Sequence, residues 1–110
     1  MKHRIHLTVI CVIALAGSIT ALGQDIDSIQ NLINQKSTPD TVVIKSLRQL
    51  ARIYAPTDSV KAINALTSAL EISRKKSIRK EEPVNLNQIG FFYEQYGNFT
   101  EAERYYRLAV

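Results

Sequence analysis

Beyond residue 24, apolar side chains recur every three or four positions, the spacing that places them on one face of a helix. Ile26, Ile29, Leu32 and Ile33 predict a first helix over Asp25 to Lys36. Ser37-Thr38-Pro39-Asp40 interrupts it, and Thr38, Asp40 or Thr41 is placed to cap the next one. Val43, Leu47, Leu50, Ala51 and Tyr54 mark a second helix, which Pro56 stops because its ring and missing N–H cannot extend the ladder. Asp58 or Ser59 caps a third, with Ala62, Ile63, Leu66, Ala69, Leu70 and Ile72 turned inward. The run Arg74 to Lys80 forms a basic helix end and linker, cations suiting the negative C-terminal end of a helix. Pro83 belongs in the first turn of a fourth helix. Gly97-Asn98 closes it, with glycine available for a left-handed cap, and a fifth helix runs from about Thr100 to the end. No stretch beyond residue 23 alternates with period two, so no strand is expected.

The first 23 residues follow a different pattern. Lys2 and Arg4 precede a nearly unbroken apolar run from Leu7 to Ala16, and Ala21-Leu22-Gly23 puts small residues three and one before a cleavage point ahead of Gln24. A charged, then apolar, then small-residue order is that of a secretory signal peptide. As a membrane anchor it is short: Leu7 to Leu22 is 16 residues broken by Thr8, Gly17, Ser18 and Thr20, against roughly 20 for a comfortable span. Cys11 sits in mid-run without the sequence context of a lipid acceptor.

Only after this division do the totals become informative. The 110 residues carry a net charge of +4, and 45% hydrophobic with 22% charged residues is ordinary for a globular protein. Without Lys2 and Arg4, twelve basic residues face ten acidic ones and the net charge falls to +2. His3, His6, Cys11 and the only Met leave with the leader, and there is no Trp. The mature protein therefore has no imidazole base, thiolate nucleophile or His/Cys metal ligand. It is expected to be non-enzymatic and without a cofactor, because the usual acid–base and nucleophile pairs cannot be assembled.

The helices also repeat. LRQLARIY at Leu47 to Tyr54 aligns with LNQIGFFY at Leu86 to Tyr93 at an offset of 39, pairing Leu47 with Leu86, Leu50 with Ile89, Ala51 with Gly90 and Tyr54 with Tyr93. The partner helices align at an offset of 40, Ala62 with Ala102, Leu66 with Tyr106 and Ala69 with Ala109, so the second turn is one residue longer. Self-similarity at this period signals stacked helical hairpins. Leu86, Ile89, Gly90, Tyr93, Gly97, Phe99, Ala102, Tyr106 and Ala109 resemble the signature of the tetratricopeptide repeat. Residues 84–110 match it well; residues 41–76 form a looser unit, with Ala51 for the glycine and no aromatic matching Phe99. Residues 24–40 read as an opening helix and linker, and 77–83 as a basic linker between the units.

The resemblance implies an all-α fold of antiparallel helical hairpins stacked as a solenoid behind the signal peptide. Small residues at Ala51, Gly90, Ala62 and Ala102 let paired helices approach, and Tyr93, Phe99 and Tyr106 fill space between them. It also implies a concave groove lined by the first helix of each unit, which holds a peptide or protein segment. Lys45, Arg48, Gln49 and Arg52 in the earlier unit, and Asn87, Gln88, Phe91 and Glu94 in the later one, would face that groove. Lys45, Arg48 and Arg52 lie three and four residues apart on one helix face, a basic stripe suited to an acidic segment or to the carboxyl terminus of a partner. An ordinary solvated face accounts for the same spacing, and Phe91 serves equally as a groove anchor or as packing.

Three further patterns stand out. The run Arg74 to Lys80 lacks interleaved aromatics for stacking on bases, so no nucleic-acid partner is expected. Asn98-Phe99-Thr100 fits an N-glycosylation acceptor but falls on the tight turn, which explains it independently. Asp27-Ser28, Asp40-Thr41 and Asp58-Ser59, each followed by an aliphatic residue, resemble an O-glycosylation pattern of some exported bacterial proteins. Helix capping accounts for the same three pairs.

The expected role is a non-catalytic interaction scaffold exported to the periplasm or cell envelope, touching the membrane only through the leader or a downstream span. The alternatives are the sensory input region of a membrane-bound histidine kinase or regulator, whose extracytoplasmic repeats this sequence resembles, and the accessory region of an enzyme whose catalytic domain follows Val110. Two units and no polar cap at Val110 suggest the N-terminal part of a longer array, with self-association through the last hairpin.

Overall fold

The computed structural model describes residues 25–110 of the protein. The leader reading of residues 1–23, with Cys11 and the two His residues, lies outside the described residues. The described part is all-α: α1 spans 25–34, α2 Asp40–Tyr54, α3 Ser59–Lys75, α4 Glu81–Gln95 and α5 Phe99–Leu108. Helices α2 and α3 pack on each other, α4 packs on α3, and α5 on α4. The short turns between them make each successive pair antiparallel.

Local chemistry sets most boundaries. Asp58 caps α3, its Oδ1 accepting from the Lys61 amide at 3.0 Å, and Asn98 caps α5, its Oδ1 accepting from the Glu101 amide at 3.3 Å. These two caps are 40 residues apart and satisfy the same orphan donor in each hairpin. The α2–α3 turn closes with the Asp58 amide donating to the Tyr54 carbonyl at 2.7 Å. The α4–α5 turn closes with the Asn98 amide donating to the Tyr93 carbonyl at 2.8 Å, one residue farther along. The extra residue is Gly97, at φ +82° in the left-handed region, and it moves the offset from 39 to 40. Helix α3 ends with the same geometry: the Ile78 amide reaches the Ser73 carbonyl at 2.8 Å, with Ser77 at φ 55° in the place glycine usually takes.

Three boundaries differ from the sequence expectations. Helix α1 stops at residue 34 rather than 36. No side chain caps α2: Pro39 precedes it, and the Pro39 carbonyl accepts from the Val42 and Val43 amides instead of Thr38, Asp40 or Thr41 supplying an acceptor. Helix α4 begins at Glu81, so three residues of the expected 77–83 linker are helical. Glu81 and Glu82 suit the positive end of the helix, and each pairs with an arginine, Arg48 and Arg74 respectively.

The core is one cluster running through both hairpins: Ile44, Leu47, Ala51, Ala62, Ala65, Leu66, Ala69, Leu70, Leu86, Ile89 and Phe92. Most of the aligned positions are buried, namely Leu47 with Leu86, Leu50 with Ile89, Ala51 with Gly90 and Ala62 with Ala102. Tyr54, Tyr93, Tyr106 and Ala109 are half-buried. Phe99 departs from its expected packing role. It is the first residue of α5 and 69% exposed, because no element lies against that side of the helix among the described residues. Ile29 is buried, and Ile33 packs on the cluster, which seats α1.

Candidate functional site: the groove between α2 and α4

Helices α2 and α4 run in the same direction, and three contacts along their length show it. Arg48 meets Glu81 and Asn85 near the start of α4. Arg52 shares a concavity with Asn87, Gln88 and Phe91 one turn later. The Ala55 carbonyl, at the end of α2, accepts from the Tyr96 hydroxyl at 3.0 Å, at the end of α4. Parallel first helices follow from the repeat itself, because each hairpin returns the backbone to its starting side.

The concavity holds about 240 Å³ and is lined by Arg52, Asn87, Gln88, Phe91 and Phe92. Four of the eight residues expected to face a groove therefore come together. Phe91 is 47% exposed and tilts against Phe92, with ring centroids 6.1 Å apart. On its other side a second hollow of about 280 Å³ continues along Ala55, Pro56, Gln95 and Tyr96. Phe91 is thus a ridge between two hollows. The Gln88 Oε1 is buried and accepts no hydrogen bond among the described residues. Lys45 and Gln49 are exposed at seven and three residues before Arg52, on the same face of α2.

Two expected groove residues are engaged elsewhere. Arg48 is 8% exposed and is not a free cation. Its Nη1 pairs with the Glu81 carboxylate and donates to Asn85 Oδ1 at 3.2 Å. Asn85 is fully buried, its Nδ2 donates to Ser73 Oγ at 3.4 Å, and Ser73 Oγ donates to the Leu70 carbonyl at 2.7 Å. The network ties α2, α3 and α4 together, and the proposed stripe of three cations reduces to Lys45 and Arg52. Glu94 turns toward α5, where it accepts from the Tyr106 hydroxyl at 2.8 Å. Burial, followed by the Glu94 carboxylate, pushes that hydroxyl's pKa up.

Sequence reasoning missed both Glu81 and Asn85, whose relevance appears only when α4 crosses α2. It also missed a hollow of about 410 Å³ between the two hairpin turns, lined by Ser59, Val60, Ile63 and Asn64 of α3, with Tyr93, Tyr96 and Asn98. Tyr93 stacks on Tyr105 there, centroids 5.7 Å apart. Burial, then the neighbouring Tyr105 and Glu101, raises the Tyr93 pKa, and burial, then Asp58, raises that of Tyr96.

No protein-family model, curated protein or solved structure matches this sequence. Among the described residues no helix is long and apolar enough to cross a membrane, and no group of His, Cys, Asp or Glu gathers in a metal-binding arrangement.

Proposed function

We propose that this protein is an exported, non-catalytic interaction module of the tetratricopeptide type, and that its α2–α4 groove holds an extended peptide segment. The observation that carries the reading is the convergence of Arg52, Asn87, Gln88 and Phe91 on one concavity. Arg52, with Lys45 beyond it, favours a carboxylate, because a guanidinium and a carboxylate form charge-assisted bonds. Asn87 supplies a donor and an acceptor for a peptide backbone, and the half-exposed Phe91 offers an apolar anchor. The preferred segment accordingly carries an acidic residue close to a large apolar one. The repeat offset, the matched caps at Asp58 and Asn98 and the parallel first helices support the family assignment. The basic-apolar-small order of residues 1–23 supports export.

The test is fluorescence anisotropy with the full protein and a panel of labelled peptides that vary the acidic residue and its distance from Leu or Phe. Binding that falls about tenfold or more in Arg52→Glu and in Phe91→Ala, corresponding to about 1.4 kcal/mol or more, supports the groove. It should also weaken with added salt. A panel that binds nowhere, or binds equally well to both variants, removes the reading.

A further inference from the structure

We propose that Thr41 and Ser59 are acceptor hydroxyls for O-linked glycosylation, read by the transferase through the preceding aspartate and the following valine. Three of the four Asp residues stand directly before Ser or Thr and then an aliphatic residue: Asp27-Ser28-Ile29, Asp40-Thr41-Val42 and Asp58-Ser59-Val60. Helix capping is the competing explanation, and the structure confines it to one of the three. Asp58 caps α3. Asp40 is the first residue of α2 and makes no capping bond, while Asp27 lies inside α1.

Core packing accounts for only one of the three aliphatic residues. Val42 is 38% exposed and Val60 67% exposed, so two valines face solvent at the same place in the triplet. Val60 rims the hollow between the hairpin turns without being covered, so both valines are accessible to an outside partner. At Asp27-Ser28-Ile29 the situation is reversed: Ile29 is buried at 6% and is a core residue. Thr41 and Ser59 are both exposed and both sit in the first turn of a helix. The amides of that turn lack intrahelical partners, so it opens into an extended segment more easily than the helix interior. A transferase can therefore draw Asp40–Val42 or Asp58–Val60 into its site without disturbing the core. Exposed hydroxyls alone do not define the site, since Ser68, Ser77 and Thr100 are also exposed and follow no aspartate.

The co-substrate is a glycosyl diphosphate. The threonine or serine Oγ attacks the anomeric carbon, the bond from that carbon to the diphosphate oxygen breaks, and the diphosphate leaves with the electron pair. The hydroxyl proton passes to a base of the transferase, and no electrons are exchanged with a redox partner. The acceptor's aspartate gives a cationic subsite of the transferase something to bind.

The test is intact and peptide-level mass spectrometry of the full protein recovered from the cells that naturally make it, whichever compartment it occupies. Glycan increments on the Thr41 and Ser59 peptides, with the Ser28 peptide at its bare mass, are expected. A single large increment per site marks transfer of a preassembled, lipid-linked glycan, and a ladder of one-sugar steps marks transfer from nucleotide sugars. Asp40→Asn and Asp58→Asn keep both hydroxyls, and Asn caps a helix as well as Asp, so the fold is retained. Each variant is expected to lose the increment at its own site only. Bare mass throughout, phosphate in place of glycan, glycan on Ser28 instead of Thr41 and Ser59, or unchanged glycan in both variants overturns the proposal. It draws on the export reading only for where the protein and the transferase meet. The N-terminus found in the same sample scores that reading separately, since a product beginning at Gln24 has been processed.

Discussion

Gly90 faces the ring of Tyr106 so closely that a Cβ at position 90 would lie 2.9 Å from the Cδ1 and Cε1 atoms. The Ala102 carbonyl oxygen would be 3.2 Å away. The equivalent positions of the first hairpin hold Ala51 and Leu66, both fully buried. One hairpin uses a hydrogen opposite an aromatic ring, and the other a methyl group with an aliphatic side chain. Gly90→Ala gains about 1 kcal/mol of helix propensity but overpacks the contact by about 1–3 kcal/mol, and the backbone carbonyl cannot yield as the ring can. A net loss of about 1 kcal/mol is expected in urea denaturation. Adding Tyr106→Leu, which recreates the pairing of the first hairpin, should recover at least half of it.

The Arg48 network makes a second prediction. Arg48→Ala leaves the Glu81 carboxylate and the Asn85 amide without their partner inside the α2–α4 contact. Unmatched buried groups cost more than the lost bond alone, so a destabilisation of about 2–3 kcal/mol is expected. A double-mutant cycle with Glu81→Gln should show coupling, because the second change removes the charge that the first one strands. Additive effects of the two substitutions would exclude the pairing.

The two left-handed turn residues should respond in opposite ways. A Cβ at Gly97 meets nothing within 4 Å, so the cost of Gly97→Ala is purely that of its φ of +82°, about 1 kcal/mol. Ser77 already bears that strain at φ 55°. Ser77→Gly relieves it while adding freedom to the unfolded state, for a net gain of about 0.5 kcal/mol. Thermal unfolding of the two variants beside the parent would read both signs.

Stability should fall at both extremes of pH for different reasons. Burial raises the pKa of Tyr93, Tyr96 and Tyr106, so these phenols hold their protons more tightly in the folded protein. Their contribution is full below the ordinary tyrosine value of about 10 and is lost as pH rises through the folded-state values. At the acid end, the hydrogen bond from Arg104 lowers the Glu101 pKa. That contribution is present above the ordinary carboxylate range and disappears as pH falls through the lowered value. Denaturation midpoints measured across pH should show both limbs, and Glu101→Gln should flatten the acid one.

Much of the fold was legible because it rests on local rules. The apolar spacing marked each of the five helices, Asp58 was one of two candidate caps for α3 and forms it, and the shift in offset announced an extra residue in the second turn, where glycine was available for a left-handed cap. That Asn98 also caps α5, and that Gly97 is itself the extra residue, came from the structure. The groove was legible only in part. Arg52, Asn87, Gln88 and Phe91 follow from the register of two similar helices. Arg48 does not, because a cation on the polar side of a helix looks the same in sequence whether or not a carboxylate 33 residues away reaches it. Phe99 fails in the opposite sense, since a signature aromatic is buried only where a neighbouring element covers it.

The sequence by itself therefore determined the helices, their turns and the pairing into hairpins, all of which depend on contacts within a few residues along the backbone. Only the tertiary structure decided which polar groups remain available to a partner. The crossing of α4 over α2 takes Arg48 and Asn85 out of water and leaves Arg52 and Phe91 at its edge. The cost of burying an unpaired charge makes that division, and it is set by packing between helices rather than by either helix alone.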